Sequence, residues 1–186
     1  MHHPIRLLRY VFVLLVATLL LTGTGAQAAA AEPAPTRPTI RIKTGIEKSF
    51  TDEAGIVWQA DQGFADGDTI DRSDLEISAT KTPSVYRAER YGMTKFSHPL
   101  PNGKYLVKLH FAETFEEITG AGQRVFSFVV AGKEFKDFDV SVKAGAVRRA
   151  YIEVVTVEIT GGKLDITFTP KIENPEINAI EIIPAP

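Results

Sequence analysis

The sequence predicts an all-β fold, a single antiparallel β-sandwich, and three observations predict it. Apolar residues recur at a spacing of two through several segments. Turn-forming Gly, Pro, Asn and Asp punctuate the chain about every 8–12 residues, the interval of an all-β sandwich. No window holds an amphipathic helix of ten or more residues, so sheets must pack on sheets.

Taken in order, residues 1–28 read as a secretory signal peptide. Arg6 and Arg9 precede the apolar run Tyr10–Leu21, and Ala26-Gln27-Ala28 offers a small-residue cleavage site. The run has 12 residues, whereas a bilayer span needs about 20; a retained anchor is the other reading of this segment. Residues 29–39 are rich in Ala and Pro and form a short linker. Residues 40–184 then form one domain, long enough for a substantial core.

Within that domain "IRIKTG" alternates from Ile40, and "FTDEAGIVW" turns at Asp52–Gly55 before a run that ends at Trp58. "GFADGDTIDRSD" reads as a polar loop. "SVYRAERYG" and "KYLVKLHFAE" read as strands joined through the Pro-Asn-Gly turn of "LPNGKY". "RVFSFVVAGKEF" is a hairpin with Ala131-Gly132-Lys133 near its tip. "DFDVSVKAG" counts among the strand segments, and "AYIEVVTVEITGGKLDITFTP" is a hairpin around Gly161-Gly162. "EINAIEIIP" completes the set. Ile152, Val154 and Thr156 keep a two-residue spacing, as do Leu164, Ile166 and Phe168.

Composition excludes several functions. The chain has no cysteine, so neither disulfides nor thiol chemistry contribute, a style that fits a bacterial exported protein. With Arg6, Arg9, Arg37 and Glu32 set aside, the remainder carries 18 basic and 22 acidic residues, a formal charge of −4. Nucleic-acid binding needs clustered Lys and Arg, and the one basic knot, Val147–Arg149, is too short.

The residues that could do chemistry are few. Beyond the signal segment only His98, at a turn before Pro99, and His110, inside a strand pattern, remain. Neither has a partner at zinc-ligand spacing, and no nucleophile elbow is present, so both read as structural residues. The acidic stretch Asp66–Glu76 invites a calcium reading, but Ile70 stands where a third oxygen is required; it reads as a solvated loop. Glu89, Glu113, Glu116, Glu117 and Glu173 could supply a carboxylate pair for glycoside hydrolysis only at a separation that sequence does not show. The expectation is a protein that is not an enzyme and needs no cofactor or metal.

Two stretches stand apart, "YRAERYG" (86–92) and "LHFAETFEE" (109–117), where aromatic residues sit among charges. Sugars bind by stacking a C–H face on an aromatic ring while polar side chains hold their hydroxyls. Phe96 and Phe111, inside strand patterns, read as core. Tyr91 and Phe115, at strand ends beside Arg90 and Glu116, are open to either core or ligand.

Together with "NGKYLVKLHFAE", "RVFSFVVAG" and "NPEINAIEI", these stretches make the chain resemble the malectin domain, a carbohydrate-binding module, in order and spacing across nearly all of residues 40–183. The resemblance implies a β-sandwich with a jelly-roll-like arrangement whose loops at one end bind carbohydrate, glucose-rich oligosaccharides in the animal lectin. It also implies a separate glycoside hydrolase or an envelope protein as partner. The family's ligand tyrosine falls on Tyr91, its aromatic pair on Phe115 and Glu116, and its aspartate on Glu173. A further family tyrosine has no counterpart, since Asp68 and Thr69 lie there. Tyr91, Phe115, Glu116 and Glu173 are therefore the expected ligand residues. Glu89, Arg90 and Asn174 support them, the first two by tying neighbouring loops with charge-assisted hydrogen bonds. The expected function is non-catalytic binding of oligosaccharide or polysaccharide, glucose-containing ligands included, outside the cytoplasm. The competing reading is a protein-interaction or adhesion module of the cell envelope.

Overall fold

Alternating burial sorts the strands into layers in the computed structural model, which describes Met1 and residues 37–186. The signal-peptide reading of residues 1–28 and all but the last three residues of the linker lie outside the described residues. In chain order the elements are β1 (Ile40–Lys43), β2 (Phe50–Thr51), β3 (Val57–Trp58), β4 (Asp68–Asp71) and β5 (Ala88–Tyr91). There follow β6 (Lys95–Pro99), β7 (Gly103–Phe111), β8 (Val125–Val130), β9 (Lys133–Phe138) and the short helix α1 (Val140–Ala144). The chain closes with β10 (Tyr151–Ile159), β11 (Lys163–Ile172), β12 (Glu176–Ile177) and β13 (Ala179–Pro184).

Two four-stranded antiparallel sheets, β1-β13-β7-β10 and β6-β11-β8-β9, share one core, the arrangement of an antiparallel β-sandwich. Val107, Leu109 and Phe111 face it from the first sheet, and Phe126, Phe128 and Val130 from the second. An aromatic knot forms where they meet: Phe138 stands 4.9 Å from Phe111 and 5.0 Å from Phe128, ring centre to ring centre. Phe96 and Phe111 are core residues, as the strand pattern predicts. A second, smaller cluster of Trp58, Ile77, Val85, Tyr86, Ala112 and Ala179 packs on the reverse side of the first sheet.

Turn chemistry closes the β8–β9 hairpin. Ala131 (φ 45°) and Gly132 (φ 85°) are both left-handed, the two-residue turn whose twist matches that of the flanking strands.

Five features depart from expectation. The polar loop at 63–74 contains β4, all of whose residues are exposed; backbone pairing to β5 holds it, and no apolar alternation marks it. "DFDVSVKAG" ends β9 and then coils into α1, with Asp139 capping Val142 N–H at 3.1 Å and left-handed Gly145 closing the helix. "SVYRAERYG" is a single helical turn over Pro83–Tyr86 followed by β5. His98 lies within β6, opposite Leu164, and not at a turn. In β10 the inward face is Val155, Val157 and Ile159, so Ile152 and Val154 are exposed on an edge strand.

Candidate functional site

At one end of the sandwich, β4, β5 and β12 form a small sheet in the order β12-β5-β4. The chain enters β4 through Gly67, whose φ is 86°; a Cβ there would lie 2.6 Å from the Tyr91 carbonyl oxygen, so only glycine allows β4 to close on β5. Opposed residues in an antiparallel pair project to the same side. Asp68 and Glu176 both oppose Tyr91, and Ile70 opposes Glu89, so these five share one face. Arg90 projects to the other.

Above that face lies a cavity of about 170 Å³, closed by Phe115 from the segment after β7, Arg124 just before β8, and Glu173 and Asn174 from the β11–β12 connection. Ile70, Arg72, Glu89 and Tyr91 complete the lining. Tyr91 and Phe115 are half-buried, with ring surface left for a ligand. The Tyr91 hydroxyl makes no hydrogen bond among the described residues.

Beneath the rings runs a buried polar network. Arg72 donates from Nη1 to Thr114 Oγ1 at 3.0 Å, lies 3.1 Å from Glu89 Oε1, and stands over the Phe115 ring at 5.9 Å. The Thr114 hydroxyl donates in turn to Glu89 Oε2. Arg124 donates from Nε to Glu113 Oε2 at 2.6 Å, and from Nη1 to the Asn174 carbonyl. Glu113 Oε1 accepts the Phe115 N–H at 3.0 Å, so one ion pair fixes both walls of the cavity. Glu176 is fully buried, and neither carboxyl oxygen finds a hydrogen-bond partner among the described residues. Burial, reinforced by the Glu89 and Glu113 carboxylates, pushes its pKa well above the ordinary carboxylate value.

Glu173 forms the rim. Its backbone is left-handed at φ 57°, uncommon for a residue with a Cβ. Its Oε1 accepts from the Asn174 N–H at 3.1 Å and from Asn174 Nδ2 at 3.2 Å. Its Oε2 has no partner among the described residues.

The backbone beneath the site converges on Asn178, which is wholly buried. Its Oδ1 accepts the Ala112 N–H at 2.6 Å, while Nδ2 donates to the carbonyls of Tyr86 and Ala88 at 3.0 and 3.1 Å. One amide thus joins the end of β7 to the start of β5.

Of the residues expected from sequence, Tyr91, Phe115, Glu173, Glu89 and Asn174 come together around the cavity. Glu116 is exposed and outside the lining, because the chain turns after Phe115, whose carbonyl accepts the Ile118 N–H. Arg90, on the reverse of β5, pairs with Asp61 at 3.0 Å, donates to the carbonyls of Asp66 and Gly67, and lies over the Phe64 ring. Asp66, in the stretch considered for calcium, accepts from the Thr94 N–H and hydroxyl at 2.7 and 2.6 Å. Tyr86 lies away from the cavity, in the smaller cluster, with its hydroxyl 2.9 Å from His110 Nδ1; His110 Nε2 stands 3.1 Å from Glu181. Sequence reasoning missed Ile70, Arg72, Arg124 and Glu176. For the first two the signal was the period-two series Asp68, Ile70, Arg72, legible only once that loop is recognised as a strand.

The sequence model of the family described as "Malectin domain" matches residues 39–180. "Receptor-like protein 4" of Arabidopsis thaliana is 39% identical over 84 residues, covering 44% of this chain and 13% of that protein. "Receptor-like protein kinase FERONIA" of Arabidopsis thaliana is 28% identical over 167 residues, covering 84% of this chain and 18% of its own. Among solved structures, a Bacteroides uniformis β-glucuronidase superposes with a TM-score of 0.72 at 18% identity, over 80% of this chain and 18% of the enzyme, a likeness of fold. The chain spans less than a fifth of the length of each of these proteins.

Proposed function

The chain belongs to the malectin-domain family, and from that premise we propose that it is a non-catalytic carbohydrate-binding module whose ligand sits in the cavity of Tyr91, Phe115 and Glu173. The observation that carries the reading is convergence: two half-exposed rings, a rim carboxylate and the Asn174 amide meet in one concavity at the end of a rigid sandwich. Rings provide the stacking surface, while Glu173 at the rim accepts hydroxyl hydrogens. A cavity of about 170 Å³ suits one terminal sugar better than a long chain lying flat. A glucose-containing oligosaccharide is the first ligand to try. The protein works outside the cytoplasm, beside a separate glycoside hydrolase or an envelope protein.

One observation favours a protein-binding module instead: β10 is an edge strand with Ile152 and Val154 exposed. A glycan array of the purified protein, with Tyr91→Ala as control, separates the two. Signals that vanish in the control support the carbohydrate reading. A well-folded protein that binds no glycan would shift the assignment to the β10 edge.

A further inference from the structure

Resting on the carbohydrate reading of this cavity, we propose that the site selects sugars bearing a free, protonated amine over sugars bearing a carboxylate. The argument is one of charge already engaged and charge left over. Both guanidinium groups in the lining are committed: Arg72 to Glu89 at 3.1 Å, and Arg124 to Glu113 at 2.6 Å. A sugar carboxylate approaching Arg72 would have to compete with Glu89, which is 1% exposed and held in place by the Thr114 hydroxyl. No lysine lines the cavity. Lys171, two residues before Glu173, donates to Asp137 at 2.7 Å.

The one charge in the lining without an ion-pair partner among the described residues is negative. Glu173 is turned onto the rim by its left-handed backbone and tethered through Oε1 to Asn174, leaving Oε2 free. Asp68, directly opposite Tyr91, is exposed, as are Glu116 and Glu117 just after Phe115. A pyranose stacked on Tyr91 or Phe115 therefore meets the free Glu173 oxygen at the rim, with further exposed carboxylates on the segments that carry the two rings. An ammonium substituent finds a pre-positioned partner in Glu173, and a uronate meets like charge. The pairing is solvent-exposed, so the preference is modest, about two- to fivefold in affinity at low salt, and it fades as ions screen the rim.

The test uses the full chain and three monosaccharides of equal size, D-glucose, D-glucosamine and D-glucuronate, followed by NMR at the Tyr91 and Phe115 ring resonances. The buffer is mildly acidic, so that the sugar amine is protonated. The expected order is glucosamine, then glucose, then glucuronate, with the gaps closing in high salt. Glu173→Gln keeps an amide oxygen for hydroxyls and is expected to erase the amine's advantage. Glucose binding with no amine preference, or with glucuronate tighter, overturns this proposal and leaves the carbohydrate reading standing. If none of the three sugars moves either ring, both fall together. An amine preference that survives Glu173→Gln would also overturn the proposal, since the charge would then act from elsewhere.

Discussion

Glu176 stands directly opposite Tyr91 in the β12–β5 pair, so a wholly buried carboxyl lies on the same face of the small sheet as the ring that lines the cavity. Its pKa is raised by burial and by the Glu89 and Glu113 carboxylates. A carboxyl with a raised folded-state pKa contributes stability below its unfolded value of 4.5 and loses it as pH climbs through the folded value. Glu176→Gln, which cannot ionise, should be more stable than the parent at neutral and alkaline pH. The difference should vanish in acid. Urea titrations at three pH values would check this; a variant equally destabilised at all of them would show that Glu176 is retained for shape.

The Arg124–Glu113 pair makes the opposite prediction. Arg124 has 4% of its side chain exposed and Glu113 none. Arg124→Ala leaves a buried carboxylate without its partner, which typically costs about 3–5 kcal/mol, and it frees the Asn174 carbonyl. Chemical denaturation should show the loss, and ligand affinity should fall with it. A loss below about 1 kcal/mol, the level of an exposed pair, would mean that water replaces the guanidinium.

Tyr91 and Phe115 should behave as ligand residues and not as core. Each is half-buried, so truncation to Ala is expected to weaken glycan binding by about tenfold or more, the scale of a hot-spot residue. Thermal unfolding should shift little. Phe128→Ala is the contrasting control: it lies in the aromatic knot and should lose about 3–5 kcal/mol without a specific effect on the site.

Acid should act through Glu181. Burial alone would raise its pKa, but the His110 hydrogen bond, with Lys108 and Arg41 nearby, holds it down to about 2. The resulting stability is present above the unfolded value of 4.5 and is lost as pH falls toward about 2. Glu181→Gln should therefore be less stable than the parent near neutral pH, and its stability should fall less steeply between those limits. A parallel pH profile for the two proteins would remove Glu181 from the acid response.

Gly67→Ala tests how the small sheet closes. The added Cβ would meet the Tyr91 carbonyl oxygen at 2.6 Å and the Met93 backbone at 2.8 Å, and φ 86° disfavours any side chain. The expected result is a stability loss of more than about 1 kcal/mol and weakened binding, because β4 carries Ile70 and leads into Arg72. Unchanged melting and binding would show that the β4 end yields easily.

The sandwich was legible wherever a strand has one buried face. Leu164, Ile166 and Phe168 alternate inward as the sequence predicts, and β7 runs close to its expected limits. β4 was illegible because none of its four residues is buried; only backbone pairing defines it. α1 was signalled by Asp139 and Gly145, but its five residues are too short for a periodic stripe. The cavity's outer residues, Tyr91, Phe115 and Glu173, could be found from family spacing. Arg72, Arg124 and Glu176 could not, because a charged residue in a sequence looks solvated until the fold shows which charges are enclosed together.

Asn178 sets the terms on which such a module could diversify. One buried amide aligns the end of β7 with the start of β5, so the floor of the cavity is set apart from the loops that carry Phe115 and Glu173. Those two loops are clasped to each other through Arg124, so on this fixed mount they would change as a pair of cassettes to acquire a new ligand. A change at Asn178 would misalign every cassette at once.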